Sequence, residues 1–329
     1  MAILICGGAG YIGSHTVRLL VESGENVIVA DNLSTGHRSA INSAVKFYDC
    51  DIRDKIALQK IFAENKIEAV FHFAAFIEAG ESVVNPLKYF SNNVVGMEIL
   101  LEAMTEAGVD KIIFSSSAAV YGEPEKIPVD ELSAKNPVNP YGDSKFIMEI
   151  MMRRVGAAHG VKFVSLRYFN ACGAIEDASI GEDHHPESHL IPLILQVPLG
   201  KRENITIFGD DYPTNDGTCI RDYIHVLDLA AAHQNALNYL RNGGESDFFN
   251  LGSGKGFSVK EIISTAEKVT AQKIKTVIGA RRAGDPARLI ASSDKARKIL
   301  HWQPRFDDIE KIISTAWNWH STHPNGFND

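Results

Sequence analysis

The chain has 329 residues, of which 45% are hydrophobic and 22% are charged. These proportions are typical of a folded globular protein and exclude collagen-like, disordered and coiled-coil architectures. The formal net charge is −8 at pH 7, so the chain lacks the positive field that nucleic-acid binding usually requires. At roughly 150 residues per domain, the length predicts two structural units or one large α/β unit.

The cysteines and the hydropathy pattern indicate the compartment. Cys6, Cys50, Cys172 and Cys219 are far apart and form no Cys-x-x-Cys pair, so neither a disulfide framework nor a zinc knuckle is indicated. No apolar run approaches the ~20 residues that cross a bilayer, and the N-terminus begins without a charged leader or a cleavage site. We therefore expect a cytoplasmic protein with no membrane partner.

The first half of the chain alternates short aliphatic runs with amphipathic stretches of helix length. Because parallel strands are buried on both faces and are joined by crossover helices, this alternation predicts an α/β fold with a doubly wound parallel sheet of the Rossmann type. The predicted strands are 2–6, 27–30, 45–48, 69–73, 111–115 and 163–167.

A glycine-rich turn follows the first predicted strand directly. The strand runs into the sequence GGAGYIG at 7–13, and a helical pattern over 14–23 ends at Gly24. Gly7 permits the sharp turn, Gly10 lets the backbone approach a pyrophosphate, and Gly13 lets helix and strand pack closely. The helix N-terminus adds free N–H groups and a positive dipole end. This context favours a dinucleotide site over a turn that only reverses the chain.

An acidic residue ends the second predicted strand, about twenty residues past the glycine turn. The carboxylate of Asp31 can accept hydrogen bonds from both hydroxyls of an adenosine ribose, and its charge disfavours a 2′-phosphate. This favours NAD over NADP. Asp51 follows the third strand and could bind the adenine amino group, although a strand-end Asp is about as often a helix cap.

A Ser, Tyr and Lys combination follows the dinucleotide motif. Asn139 is the predicted N-cap and Pro140 the first residue of a helix that runs to about residue 159, so Tyr141 and Lys145 share one face. To act as a base at neutral pH, the phenol requires ~4 kcal/mol of differential stabilisation of its phenolate, whereas an exposed Lys supplies under ~1 kcal/mol. The pair predicts a partly dry pocket; the alternative is an exposed i,i+4 pair on the surface.

A run of serines ends the strand that begins at residue 111. The carboxyl edge of an α/β sheet is where ligands bind, so Ser117 could bridge a substrate hydroxyl and Tyr141. The alternative is that these serines serve the turn alone.

The alternating pattern weakens after Asn170. A stretch rich in Gly, Asp, His and Pro follows, and then a predicted helix over 190–199. We predict an NAD-binding domain over residues 1–170 and a smaller, mainly substrate-binding domain over residues 171–329, with segments such as 221–240 returning to the first domain.

The run DHHPESH at 183–189 invites a metal interpretation, since imidazoles and carboxylates bind zinc. Pro186 breaks the helical spacing of His185 and His189, however. We therefore expect a solvated loop at the domain junction and no metal.

Eight short motifs occur in order along the chain, and through them it resembles the UDP-glucose 4-epimerase family of the extended short-chain dehydrogenases/reductases over essentially its whole length. The motifs are GGAGYIG at 7–13, HFAA at 72–75, GES at 80–82, NNV at 92–94, SSA at 116–118, YxxxK at 141–145, LRYFN at 166–170 and RDYIHV at 221–226.

The resemblance implies an isomerase that interconverts UDP-galactose and UDP-glucose by transient oxidation at sugar C4 with tightly bound NAD. It implies that Tyr141 and Ser117 act on the sugar 4-hydroxyl and that Lys145 binds the nicotinamide ribose and tunes Tyr141. A UDP-sugar is the implied partner, held mainly by residues 171–329, and homodimers are common in the family.

The resemblance also implies two sets of contacts. The NAD contacts are Gly7, Gly10, Tyr11, Ile12, Gly13, Asp31, Asn32, Asp51, Ile52, Phe73, Ala74, Ala75, Asn92, Ser115, Tyr141, Lys145 and Tyr168. The substrate contacts are Ser117, Tyr141, Asn170, His189, Leu190, Phe208, Arg221, Arg282, Asp285 and Leu289. Within the second set, Asn170 would hold the diphosphate, Phe208 would face the uracil, and the arginines and Asp285 would clamp the UDP.

Three positions depart from the family pattern. Some relatives have a Lys within the segment 76–78, where this chain has Phe-Ile-Glu, so no cofactor contact is assigned there. His189 stands where many members have Asn. Leu289 is intermediate in size between the Tyr that excludes N-acetyl groups and the Cys or Ser that admits them, so activity on UDP-N-acetylhexosamines stays open.

Two other functions use the same fold. A nucleotide-sugar 4,6-dehydratase would place Asp-Glu after the serine run, where this chain has Ala118-Ala119. A non-catalytic NAD-sensing module tends to lose the Tyr and Lys that this chain retains. The epimerase therefore leads.

Overall fold

The computed structural model describes residues 1–282 and 285–329. The strands are β1 (Ala2–Cys6), β2 (Val27–Asp31), β3 (Lys46–Asp49), β4 (Ile67–His72), β5 (Lys111–Ser117), β6 (Lys162–Tyr168), β7 (Asn170–Cys172), β8 (Ile205–Phe208), β9 (Ile220–His225), β10 (Asp247–Leu251), β11 (Gly256–Ser258), β12 (Thr276–Gly279) and β13 (Arg288–Leu289). The α-helices are α1 (Tyr11–Glu22), α2 (Lys55–Glu64), α3 (Ala79–Val84), α4 (Pro86–Tyr89), α5 (Gly96–Ala107), α6 (Pro140–His159), α7 (Leu190–Leu195), α8 (Val226–Arg241), α9 (Val259–Thr270), α10 (Asp294–Ile299) and α11 (Ile309–Thr322).

A seven-stranded sheet in the order β10-β6-β5-β4-β1-β2-β3 forms the centre of the molecule, and all its pairs are parallel. The chain moves outward from β1 in one direction and then resumes at β4 on the other side, so the sheet is doubly wound, as predicted. The loops after β1 and β4 diverge at this switch point and open a crevice at the carboxyl edge.

The period-two alternation of the strands builds two cores, one on each face of the sheet. In β1, Ile3 and Ile5 join the core beneath α1 and α8. Ala2, Leu4 and Cys6 join the opposite core beneath α2, α5 and α6. Because both faces are covered, β1 is buried along its whole length.

All six predicted strands are present, with ends that differ by at most two residues. The seventh strand, β10, was not predicted. Its sequence DFFNL carries Asp247 and a fully buried Asn250, which interrupt the aliphatic pattern that marks the other strands. Together with α8, which packs on α1 in the first core, it brings sequence from beyond residue 170 into the central layer.

The smaller unit packs α7, α9 and α11 around a third core. It carries a four-stranded sheet, in which β7, β11 and β13 all pair with β9, and the pair β8 and β12. The helix predicted over 190–199 ends at Leu195, because Pro198 disfavours helical geometry at the residue before it. None of the helices within the described ranges is long and apolar enough to cross a membrane.

Candidate active site

A cleft of about 420 Å³ opens at the switch point, above the carboxyl ends of β1, β4 and β5. Residues from both units line it. The expected cofactor and catalytic residues that line this cleft are Gly7, Gly10, Tyr11, Ile12, Gly13, Asp31, Asn32, Ile52, Phe73, Ala74, Ala75, Asn92, Ser115, Ser117, Tyr141, Lys145 and Tyr168, joined by Asn170 and His189 of the substrate set.

The glycine turn has room for a pyrophosphate. Gly7 has φ +78°, and a Cβ there would lie 2.4 Å from the backbone nitrogen of Ala74. A Cβ on Gly13 would lie 2.2 Å from the Gly7 carbonyl oxygen, so neither position accepts a side chain. A Cβ on Gly10 would meet only that carbonyl, at 3.6 Å, and would otherwise occupy the cleft. No side chain caps α1, so its first N–H groups are available to an anion. The turn therefore fits a dinucleotide.

Asp31 is held beside this turn. Its carboxylate accepts hydrogen bonds from the backbone N–H groups of Ala9, at 2.8 Å, and Leu33, at 2.9 Å. Burial raises the pKa of the carboxyl group, although these two bonds oppose the effect. The acid lies at the carboxyl end of β2 and faces the cleft, where a ribose of a bound dinucleotide would lie.

Asp51 lies just outside the cleft lining. It accepts a hydrogen bond from Asn32, which lines the cleft, at 3.0 Å, and two from the guanidinium of Arg53. These contacts lower the pKa of Asp51 to about 2. The helix cap that could have explained this residue is supplied by Asp54, whose side chain accepts the backbone N–H of Ala57.

Helix α6 carries the Tyr and the Lys in its first turns. Asn139 caps it by accepting the N–H of Gly142 at 2.9 Å, Pro140 is the first helical residue, and the helix ends at residue 159 as predicted. The Lys145 ammonium donates to the Ser115 carbonyl at 2.8 Å, and its nitrogen lies 5.9 Å from the centre of the Tyr141 ring.

Burial away from water shifts the pKa values of Tyr141 and Lys145 in opposite directions. Burial raises the pKa of Tyr141 to about 12, although the neighbouring Ser117 hydroxyl partly offsets the rise. Burial lowers the pKa of Lys145 to about 7, and the carboxylate of Glu149 partly offsets that fall. Each group thus favours its neutral form in the protein alone.

A buried ionic network supports α6 from below, and the sequence interpretation missed it. Arg167 pairs with Glu149 at 2.6 Å, and each side chain is only 2% exposed. Ser116 and Ser165 both donate to the same carboxylate, at 2.7 and 2.8 Å. Glu149 lies four residues after Lys145, on the buried face of the helix. Its spacing from Lys145 was the sequence feature that could have indicated a buried carboxylate.

The cofactor side of the cleft also contains Tyr168, whose hydroxyl is hydrogen-bonded to that of Ser115. Asn170, from the strand that follows, donates its side-chain amide to the Asp222 carbonyl at 2.8 Å. Behind them, His72 is buried against Phe114, and burial lowers the pKa of its imidazole to about 3.

The remaining substrate residues form a second group, outside the cleft lining. The guanidinium of Arg282 stacks 4.0 Å from the centre of the Phe208 ring. Arg221 lies 3.4 Å from the Asp285 carboxylate and donates to the Pro286 carbonyl at 2.8 Å. An exposed guanidinium on an exposed aromatic ring and the largely buried cation Arg221 thus lie on the smaller unit.

The last two expected substrate residues are Leu289 and Leu190. Leu289 pairs with Arg221 in the sheet and packs against a small core cluster that includes Ala118, next to Ser117. It therefore lies between the cationic group and the end of β5. Leu190 begins α7 and packs against the third core.

The loop over 182–189 leaves His185, Pro186 and Ser188 exposed, as expected for residues 183–189, whereas the residue that precedes that run is buried. Glu182 is 3% exposed, and its carboxylate faces His184 and His189. Burial opposes charge on both imidazoles, but the carboxylate outweighs it and raises the pKa of each. Helical spacing was the wrong criterion here, because the loop backbone itself brings these side chains together.

Comparison with known proteins gives a consistent result. Residues 3–252 match the model of the NAD dependent epimerase/dehydratase family. The UDP-glucose 4-epimerase of Lacticaseibacillus casei is 57% identical over 329 residues, covering 100% of this chain and 99% of the relative.

Two solved structures share the fold. The UDP-glucose 4-epimerase from Bifidobacterium longum in complex with NAD+ and UDP has a TM-score of 0.94 at 39% identity, covering 99% of this chain and 100% of that one. The enzyme from Brucella ovis in complex with NAD has a TM-score of 0.94 at 44% identity, covering 96% and 97%. With a family model over most of its length and such relatives over all of it, the chain belongs to the NAD dependent epimerase/dehydratase family, in its UDP-glucose 4-epimerase branch.

Proposed function

We propose that this chain interconverts UDP-galactose and UDP-glucose by reversible oxidation at sugar C4, with NAD held throughout. The observation that carries the proposal is the convergence of Ser117, Tyr141 and Lys145 in the same cleft as the glycine turn and Asp31. A hydroxyl, a phenol and an ammonium beside a dinucleotide cradle are the groups that proton removal from a secondary alcohol requires.

The residues of α6 and β5 would manage the proton. When bound, NAD would supply a reversible hydride acceptor and a positive charge. In the protein alone Tyr141 keeps its proton at neutral pH, since its pKa is about 12. Lys145 is fixed by the Ser115 carbonyl at a distance from which its charge favours the phenolate. Ser117 would orient the 4-hydroxyl toward Tyr141, which takes the proton and later returns it.

We propose that the group on the smaller unit holds the UDP. The exposed Phe208 ring under the Arg282 guanidinium offers a stacking surface for a flat base, and arginine matches phosphate oxygens with its planar fork. Contacts to the UDP, away from the reacting C4, would hold the substrate in the site while the sugar ring turns. Binding energy from a non-reacting part of the substrate would thus support the reaction at C4. Asn170, which lines the cleft, is the proposed diphosphate contact.

The direct test is an NMR spectrum of the purified protein incubated with UDP-galactose and UDP-N-acetylgalactosamine together, without added NAD. Anomeric signals separate the two substrates and their two epimers. We expect UDP-glucose to form, and the second pair of signals reports whether the space beside Leu289 admits an N-acetyl group. If neither epimer forms even after NAD is supplied, the proposed function is wrong.

We further propose that the chain is a homodimer. Val83, Val84 and Leu87, on α3 and α4, are 62%, 74% and 79% exposed. Adjacent apolar side chains this exposed mark an interaction surface, and a two-fold dimer would cover the same surface on both copies. A cytoplasmic location is also proposed, supported by four cysteines that are all free, three of them buried.

A further inference from the structure

Four side chains of the loop over 182–189 converge on one point at the rim of the cleft. They are Glu182, His184, Glu187 and His189, and one ligand atom from each lies within 4.8 Å of the others. The two carboxylate side chains are 3% and 8% exposed, and that of His184 is 13% exposed. Buried carboxylates need neutralisation, which either protonated imidazoles or a bound cation can supply.

The convergent atoms contact one another, but not in the geometry of a hydrogen bond. Glu182 Oε1, His184 Nδ1 and His189 Nδ1 are buried, and none makes a hydrogen bond within the described residues. Each ring nitrogen nevertheless faces the carboxylate oxygen, at 3.3 Å for His184 and 2.6 Å for His189. A buried polar atom without a partner calls for an ion or a water molecule.

The spacing matches a tetrahedral metal centre. With bonds of about 2.0 Å from metal to nitrogen or oxygen, neighbouring ligands of a tetrahedral site lie ~3.3 Å apart. The contacts to Glu182 are 3.3 Å from His184 and 2.6 Å from His189, and those to Glu187 are 3.8 Å and 3.5 Å, so all but that at 2.6 Å lie within about 0.5 Å of that value.

We propose that Glu182, His184, Glu187 and His189 bind one zinc-class divalent ion. Two imidazoles disfavour magnesium and calcium, which prefer oxygen ligands, and two carboxylates balance the charge of the ion. Because four protein groups fill the tetrahedron, the ion is structural and holds no open position for substrate. In this assignment His189 binds the metal in place of the diphosphate contact that the family resemblance implies.

The surrounding contacts hold the ligands in place without the ion. The Glu182 carbonyl accepts the indole N–H of Trp319 at 3.1 Å, and Asp183 accepts the N–H of Phe327 at 2.9 Å. Glu187 accepts two backbone N–H groups of the loop, both at 2.8 Å. Such outer contacts orient the ligands of a metal site. The ion would then fix the loop between the C-terminal helix and Tyr11, whose ring contacts His184 edge-on.

Metal binding by the purified full-length protein tests this. After dialysis against EDTA and then metal-free buffer, the protein is titrated with Zn²⁺ by calorimetry and with Co²⁺ by visible absorption. We expect one ion per chain, with cobalt bands of tetrahedral intensity. Glu182→Gln and His184→Ala each lower zinc affinity by at least ~100-fold, since loss of even an outer partner costs 10–100-fold. Glu182→Gln keeps the side-chain volume, and circular dichroism verifies that each variant is folded.

Ser188→Ala is the control, because Ser188 is exposed in the same loop and belongs to no group of possible ligands within the described residues. We expect its zinc affinity to equal that of the unmodified protein. Zinc should also slow proteolytic cleavage within 183–189 in the unmodified protein but not in His184→Ala. Three results would overturn the proposal: no zinc bound by the unmodified protein, unchanged affinity in both ligand variants, or loss of zinc in the control.

Discussion

At the residue scale, one turn of helix places side by side two groups whose neutral forms are both favoured by burial. Tyr141 holds its proton more tightly than a free tyrosine and Lys145 holds its proton less tightly than a free lysine, because both lose contact with water. Any positive charge that enters the cleft favours the phenolate, so we expect Tyr141 to become a base only when a ligand supplies that charge. We therefore expect proton removal by Tyr141 to require an occupied cleft.

Tyr141→Phe should lower kcat by roughly 10²- to 10⁴-fold, the usual contribution of general acid–base catalysis. Phe keeps the ring and its packing, so the content of bound NAD should not change. Steady-state turnover of UDP-galactose and chromatography of released NAD measure the two quantities. Tyr48→Phe, which removes a hydroxyl bonded to Glu64 outside the cleft, is the control and should retain full turnover. Unchanged turnover in Tyr141→Phe would exclude this phenol as the base.

Lys145 should give the NAD-free protein a stability that rises with pH. Its folded pKa is about 7, whereas an unfolded Lys titrates near ~10.4. Between these values the unfolded chain binds more protons, so the free energy of unfolding increases with pH by up to ~1.4 kcal/mol per unit.

Urea denaturation at pH 7, 8 and 9 measures this slope. Lys145→Met should remove most of it, because Met cannot titrate, whereas Lys201→Met, at an exposed position, should keep it. Equal slopes in all three proteins would show that Lys145 is not held in its neutral form.

At the element scale, a charge cluster ties the helix returning from the second half of the chain to the central sheet. Arg241, at the end of α8, makes two hydrogen bonds to Glu25 and two to Glu68, at 2.6 to 2.9 Å. Glu25 follows α1 and Glu68 lies in β4, so one guanidinium joins three elements.

Arg241→Met should lower the free energy of unfolding by about 1 kcal/mol at pH 7, a value at the upper end for partly exposed pairs. Hydrogen bonds from Arg241 lower the pKa of both glutamates. Their stabilising contribution is therefore complete above the unfolded pKa of ~4.3 and is lost as the pH falls below it. In thermal melts, the melting temperature of Arg241→Met should lie below that of the unmodified protein, and this difference should be smaller at pH 4 than at pH 7. Lys255→Met, which breaks a single exposed pair with Asp307, should change stability less at pH 7.

Local signals explain which elements could be predicted from sequence. Asn139 and Pro140 are neighbouring residues that together mark the start of α6. Because this signal is local, the start of that helix could be predicted from sequence. Strand β10 pairs with β6, roughly 80 residues earlier, and no local pattern specifies such a partner. The pairing of Glu149 with Arg167 was not predicted, because sequence alone does not show that the two residues neutralise each other.

The residues of the candidate site also fall into those that local motifs predict and those that they do not. The residues of the glycine turn and of α6 follow contiguous motifs, and the structure gathers them in one cleft. The loop over 182–189 has no regular secondary structure, so no periodicity could indicate that Glu182 would be buried against two imidazoles. Residue type alone was the signal there.

At the scale of the whole molecule, the exposed surface of α3 and α4 should set the oligomeric state. Val84→Asp combined with Leu87→Asp places two charges in the proposed contact and should convert a dimer to a monomer. Light scattering coupled to size-exclusion chromatography measures the mass directly. Ile56→Asp alters an equally exposed apolar residue on α2 and should leave the mass unchanged. A monomeric unmodified protein would contradict the homodimer.

The position of β10 also bears on how the protein is made. Strand β6 is synthesised before its neighbour β10. At 5–20 residues per second the ~80 residues between them take ~4–16 s to synthesise. During that interval the nascent chain presents an unpaired strand edge, which is a template for aggregation. A chaperone that shields this edge should therefore raise the soluble yield, and an expression fragment that stops before residue 247 would keep the edge open permanently.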